Sequence, residues 1–334
     1  MKIEATLRGV DLADVPVWAR RCEEVGLDGI WTTETNTDGF FPLVLAAEHT
    51  SHVDVGTDIA LTFSRSPLHL AHAAWDLNRL SGGRFYLGLG SQVRAHVERR
   101  FSSDYERPVA RMRDAIGAIR AIWAAWHKQT PLDYRGEFYN HTLMPPAFCP
   151  PPCESGPPRI GLAGVRGRMT ELAGEVADVF LGHPIQTPLF LREYALPAIE
   201  RGLDRAGRQR SDIEVGLALF TATTEQERER IRQRVAFYAS TPQYRHLLEL
   251  HGWDDLADTL HQLSRSGGWD EMASKVSDEV LETIAVCGNS ADEVAAETGR
   301  RFSGLADRVN LHAGAHSDLD EWAEFPAAFS RALA

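Results

Sequence analysis

Eight times along this chain a short apolar run of strand character is followed by a segment with helical spacing, with little between them. Strict alternation of this kind leaves few choices beyond folds built from parallel strands with helical crossovers. The strand-like runs fall at residues 3–7, 28–33, 53–62, 84–89, 159–163, 178–181, 213–221 and 307–312. Residue type marks the helix starts. Asp14, Ser66 and Thr187 are N-cap residues, each followed by a proline in the first turn (Pro16, Pro67 and Pro188). Thr224 with Glu227, and Ser290 with Glu293, have the spacing of a capping box. Further helices are predicted over 41–51, 67–80, 108–127, from 169 and over 320–333. Eight units predict a closed (β/α)8 barrel rather than an open doubly wound sheet, and no strand–turn–helix carries GxGxxG.

Two stretches interrupt the rhythm. Residues 129–158 include a small hairpin, predicted over 132–139, and then MPPAFCPPPCESGPP. That run has seven prolines in fifteen residues and cannot be helix or central strand. Residues 241–282 read as helical without alternation. A chain of 334 residues has room for one large domain or two small ones. Because the alternation resumes after the proline-rich run, both stretches read as insertions in a single domain spanning 1–334. A weak repeat supports this: glycine, short spacer, aspartate, apolar strand recurs at Gly26 and Asp28, Gly174 and Asp178, and Gly304 and Asp307. Each glycine is expected at a left-handed helix C-cap, and each strand to be near-continuously apolar, as parallel strands are.

Charge and cysteine content remove several functions. With 35 basic and 47 acidic residues the net charge is −12, which argues against a nucleic-acid partner or an anionic membrane surface. No run of roughly 18 apolar residues is present to span a bilayer, and the N-terminus has charges where a signal peptide needs an apolar stretch. Four cysteines fit a reducing cytoplasm better than a disulfide scaffold. Cys149 and Cys153 stand close together, but no second Cys or His pair lies at a spacing suited to zinc, so no metal site is expected. The first strand lacks His-x-His and no Gly-x-Ser-x-Gly elbow is present, which sets aside two kinds of hydrolase.

In a (β/α)8 barrel the chemistry sits at the C-terminal strand ends. Gly88-Leu-Gly90-Ser91-Gln92 leaves the fourth strand with little bulk, so backbone amides can approach a ligand closely. Ala163-Gly164-Val165-Arg166-Gly167 sets glycines between a strand and a helix start, where free N–H groups and the helix dipole favour a phosphate. Arg166 and Arg168 add positive charge there. Arg94, His96, Arg99 and Arg100 form a basic cluster in an acidic chain. Each feature has a plainer reading: a tight turn, a βα turn, a solvated helix face. Together they describe a cradle for an elongated, anionic cofactor. His49, His52, His69, His72 and His127 fall on helices or their ends and read as structural. His183 and His312 stand at strand ends, where acid–base groups belong, and His316 follows the last strand. Glu34 and Asp58 are the acidic candidates, and each reads equally well as a hydrogen-bonded structural carboxylate.

The run Arg65-Ser66-Pro67, followed by LAHAAWDLNRLSGGRFYLGLGSQVRAHVERRF from Leu70 to Phe101, closely resembles the luciferase-like monooxygenase superfamily. GTDIALTFSRSP, LAGVRGRMTELAG and residues 134–139 and 175–178 match in order, so the likeness covers most of the chain. The Ser91-Gln92-Val-Arg94-Ala-His96 extension is similar to the branch that uses the deazaflavin coenzyme F-420. The resemblance implies a (β/α)8 barrel with a tricyclic ring across the strand C-termini and a non-prolyl cis peptide at Asp58-Ile59 backing that ring. It also implies a phosphate-bearing tail along Ala163, Gly164, Val165, Arg166 and Gly167, close to Gly90, Ser91 and Gln92, with Arg94 and Arg166 available to its acidic groups.

The activity implied by the resemblance is hydride transfer between carbon 5 of the coenzyme and a small organic substrate. Glu34 is the expected acid–base group or substrate anchor, with His183 and Asp58 as further candidates. A two-component monooxygenase using reduced FMN and dioxygen is the alternative, and a barrel that binds the coenzyme without catalysis is a third reading. Two positions depart from the pattern of relatives. Asp58 stands where they often carry a small apolar residue, and Thr37 where many carry the histidine of His-Asp-Pro-Phe. A homodimer is expected by the same likeness.

Overall fold

A computed structural model describes residues 1–7, 9–312 and 323–332, with His312 described by its backbone alone. The expected barrel is there. Strands β1 (Lys2–Thr6), β2 (Gly29–Thr32), β3 (Asp54–Thr57), β4 (Phe85–Gly90), β5 (Arg159–Ala163), β6 (Val179–Gly182), β7 (Glu214–Ala222) and β8 (Arg308–His312) pair in parallel in chain order. The barrel closes where β8 returns to β1, with Lys2 opposite Arg308 and Glu4 opposite Asn310. The sequence predicts one continuous third strand over 53–62. The structure breaks it after Thr57 and resumes it at Ala60–Leu61, which pairs with Leu89 and Gly90 of β4; the Asp58-Ile59 peptide between them is cis.

Helices α1 (Val15–Glu24), α2 (Phe41–Glu48), α3 (Pro67–Leu80), α4 (Pro108–Lys128), α5 (Gly167–Val176), α6 (Leu196–Ala206), α7 (Glu225–Ala239) and α8 (Ala291–Phe302) follow the strands in turn. Ser66 Oγ accepts from Leu68 N, Thr187 Oγ1 from Phe190 N, and Thr224 and Glu227 complete a capping box. Two cap expectations need correction. Asp14 makes no side-chain cap bond, because its own backbone is already helical. Ser290 caps Glu293 N, but Glu293 turns to Asn289 N instead of closing the box. In the first insertion Tyr134–Arg135 pairs with Asn140–His141 as a short hairpin. The second consists of helical pieces at Arg245–Leu250, Asp254–Ser266, Trp269–Met272 and Asp278–Ile284. No helix is long and apolar enough to cross a membrane among the described residues.

The glycine–aspartate repeat has a physical basis. Asp28 donates its N–H to Ile3 O and accepts Ile3 N–H on Oδ2, both at 2.7 Å, which clips β2 to β1. Asp178 makes the same pair of bonds with Ile160 of β5, and Asp307 with Val215 of β7. Gly26 and Gly304 have the left-handed φ expected of them, +88° and +75°. Gly174 does not. It lies inside α5, where an added Cβ would come within 2.2 Å of Ile199 O, so it is there to let the backbone approach the segment leading through α6.

Apolar side chains fill the layer between strands and helices, and a second, smaller cluster of Trp31, Tyr86, Val179 and Leu181 fills the barrel interior. Gly56 makes room for Trp31, whose Cζ3 lies 2.5 Å from where a Cβ would sit. The strands are buried on both faces but are not continuously apolar as expected. Arg308 projects into the barrel with Glu4 at 2.8 Å, Asp54 at 2.6 Å and Glu214 at 3.2 Å, and its guanidinium stacks over Trp31 and Tyr86.

Candidate active site

The C-terminal strand ends open into a cavity of about 940 Å³. Its floor is apolar, with Ile59, Ala163, Leu181 and Ala218 contributing. Gly90 is bare because Ile59 covers it: a Cβ there would lie 2.4 Å from Ile59 Cδ1. Ser91 and Gln92 continue the wall. Gln92 adopts the left-handed φ of +54°, rare for a residue with a side chain, and is held by Tyr105 Oη, which donates to its carbonyl at 3.3 Å.

Across the cavity, Val165, Arg166 and Gly167 line the start of α5. Arg166 occupies the N-cap position without supplying a side-chain acceptor, and Gly167 N–H reaches only the Tyr194 hydroxyl at 3.3 Å. Arg166 and Arg168 have no carboxylate partner among the described residues. The helix at Arg245–Leu250, in the second insertion, leans on this loop through His246 Nε2, 3.0 Å from Val165 O. An apolar floor beside a cationic wall rich in N–H donors fits a planar ring with an anionic tail.

Two expected cofactor contacts fall elsewhere. Arg94 is not among the residues lining the cavity; at the first position of a short helix it pairs with Glu98 at 2.7 Å, lies over the Tyr105 ring and is largely exposed. Gly164 is also withdrawn. Its carbonyl accepts from Gln186 Nε2 at 3.0 Å, and a Cβ would meet Thr170 Oγ1 at 2.8 Å, so the glycine serves loop packing. Arg100 of the basic cluster donates to Thr35 O.

The three acid–base candidates all line the cavity, in different states. Both oxygens of Glu34 are taken: Oε2 accepts from Leu61 N at 2.8 Å and from Arg65, and Oε1 from Arg65 at 2.6 Å. Arg65 also bonds Asp38, so Glu34 is fixed as an acceptor in a three-residue ion network. Asp58 has no ion pair among the described residues. Its burial pushes the carboxyl up to about 7, with only the Asn310 side chain drawing it back. His183 is lowered to about 3 by burial and is a neutral ring at ordinary pH. His316 and the side chain of His312 lie outside the described residues. Sequence reasoning missed Tyr105, Tyr238 and Tyr244 on the walls; lone tyrosines in a loop, on a helix or in an insertion carry no motif.

Fold and site together define a (β/α)8 barrel whose mouth suits a planar, acid-tailed ligand. Residues 3–308 match the luciferase-like monooxygenase family, and the chain belongs to it. An uncharacterized protein of Mycobacterium tuberculosis is 46% identical over 293 residues, covering 86% of each chain. The 5,10-methylenetetrahydromethanopterin reductase of Archaeoglobus fulgidus is 27% identical, with 84% of each chain covered. The structure of the coenzyme F-420-dependent tetrahydromethanopterin reductase from Methanopyrus kandleri shares the fold, with a TM-score of 0.79 over 98% of both chains at 20% identity.

Proposed function

We propose that this protein is an oxidoreductase that transfers a hydride between coenzyme F-420 and a small organic substrate. The observation that carries the proposal is the pair of arginines, Arg166 and Arg168, without carboxylate partners among the described residues, at an N-terminus of α5 that none of those side chains caps. In a protein of net charge −12 such a place suits an acidic tail. The relatedness to a reductase of Archaeoglobus fulgidus supports the same reading.

When bound, the coenzyme would supply the carbon that carries the hydride. The chain's own residues bind, orient and manage protons. Arg166, Arg168 and the first N–H groups of α5 hold the anionic tail. Ile59, Ala163 and Leu181 support the ring and keep water from its lower face. Asp58, at about 7, holds or releases a proton on its carboxyl oxygens near neutral pH. Glu34, locked by Arg65 and Leu61 N, anchors and orients rather than shuttling a proton. The exposed apolar side chains Val17 on α1 and Phe41 and Val44 on α2 support pairing of two copies, and a cytoplasmic location belongs to the same reading.

The test is a titration of purified protein with the coenzyme and, separately, with FMN. Saturable binding of the deazaflavin at micromolar concentration, with FMN weaker, is expected. Binding of FMN alone, with oxygen consumed in the presence of its reduced form, would replace this reading with the monooxygenase one.

A further inference from the structure

This inference rests on the hydride-transfer reading and adds the class of substrate. His183, Tyr238 and Tyr244 stand together on one wall of the cavity. The imidazole centroid lies 4.4 Å from the Tyr238 ring and 4.6 Å from the Tyr244 ring, and the two phenol rings are 5.8 Å apart. Ile185 N–H donates to His183 Nδ1 at 3.4 Å, which leaves the proton of the neutral ring on Nε2. Burial keeps His183 uncharged, and burial pushes the Tyr244 phenol up, so it stays a hydroxyl. Neither phenol oxygen has a hydrogen-bond partner among the described residues. Three uncharged donors are therefore unspent in one place.

The charges around them decide what they bind. Arg201 has Glu171 at 3.6 Å, and Arg245 has Glu249 at 2.8 Å and Asp258 beside it. Arg166 and Arg168 are the cavity's arginines without a carboxylate, and in the reading above the coenzyme tail takes them. Glu34 and Asp58 add acidic groups to the same cavity. Among the described residues no cation is left for an anionic substrate, while the free donors match an uncharged oxygen acceptor.

We infer that His183, Tyr238 and Tyr244 bind the oxygen of an uncharged carbonyl substrate, a ketone or aldehyde, or of the alcohol that is its reduced form. In the reducing direction one hydride from the reduced coenzyme adds to the carbonyl carbon. The π pair of C=O moves to oxygen, and one proton from water passes through a tyrosine hydroxyl to that oxygen. The hydroxide left by that water takes up the proton that the coenzyme sheds after its hydride, so the products are the alcohol and the oxidised coenzyme, with the water restored. Donors at the oxygen lower the barrier because negative charge builds there.

Cyclohexanone is a suitable probe, added to the protein loaded with oxidised coenzyme. Infrared difference spectra should show the bound carbonyl stretch below that of the free ketone in water. In the Tyr238→Phe, Tyr244→Phe double variant the band should return to higher frequency and the affinity fall at least tenfold. Benzoate, an anion of similar size, should bind at least tenfold more weakly than cyclohexanone to the wild type. Tighter binding of benzoate, or an unchanged band and affinity in the double variant, overturns the inference. Coenzyme titrations on the same samples separate the two levels. A wild type that does not bind coenzyme overturns the hydride-transfer reading, whereas one that binds coenzyme but not cyclohexanone overturns only this inference.

Discussion

The guanidinium of Arg308 lies 2.8 Å from the carboxylate of Glu4 inside the barrel, with the two side chains only 1% and 2% exposed. Burial pushes the Glu4 carboxyl up and Arg308 draws it back. Asp54, at 2.6 Å from Arg308, and Lys2 complete the cluster. Removing one member strands the others in a medium that solvates charge poorly.

Arg308→Met should therefore destabilise the protein by about 3–5 kcal/mol, the usual consequence of leaving a buried partner charge uncompensated. Adding Glu4→Gln to that variant should recover part of the loss. Urea unfolding of the wild type, the single and the double variant measures both steps. A double variant no more stable than the single one would show that Glu4 is not the partner that matters.

Asp58 predicts a pH dependence of stability. Its folded carboxyl titrates near 7, above the ordinary 3.8, so folding favours the protonated form. The resulting stabilisation is fully present below about pH 4 and is lost as pH rises through 7. Asp58→Asn has no such slope. Measured by thermal unfolding, the variant should be the more stable at pH 8, by on the order of 2 kcal/mol, with the gap closing toward pH 5. Parallel curves would mean that Asp58 does not titrate in this range.

Arg166→Ala and Arg168→Ala should each weaken coenzyme binding roughly tenfold or more, the loss expected of a hydrogen bond to a charged group. Arg94→Ala should leave it within about twofold, because Arg94 is committed to Glu98 outside the cavity. The three dissociation constants, measured side by side, check the assignment. Equal losses in all three variants would point to long-range charge instead of contact.

Gly174→Ala should cost about 1–3 kcal/mol, the range for overpacking, although alanine favours helix. The added methyl would sit 2.2 Å from Ile199 O, backbone that cannot step aside cheaply. Chemical denaturation reads the outcome, and a stabilised variant would place Gly174 back among helix glycines with no packing duty.

The fold was legible in the sequence because strand and helix alternate with local signals at their ends. Ser66, Thr187 and Thr224 cap where they are expected to. The interior of the barrel was not. Glu4 and Arg308 sit in runs that read as apolar strands, and only the closing of β8 on β1 brings them together. The cavity was legible where one loop supplies several residues, as with Val165, Arg166 and Gly167. It was illegible where residues distant in the chain meet, as with His183 on the loop after β6, Tyr238 on α7 and Tyr244 in an insertion. Arg94 misled because a cluster of basic residues does not say which face of a helix it occupies.

The aspartate clips at Asp28, Asp178 and Asp307 lie at the opposite end of the strands from the cavity, and each uses one carboxylate oxygen and one backbone amide. None draws on a loop at the rim of the cavity. Neighbouring strands are thus stitched at one hem of the cylinder while the other hem stays free to accept insertions of any length. A lineage built on this scaffold can change what it recognises by rewriting the loops at one end, without reopening the question of how the cylinder holds together.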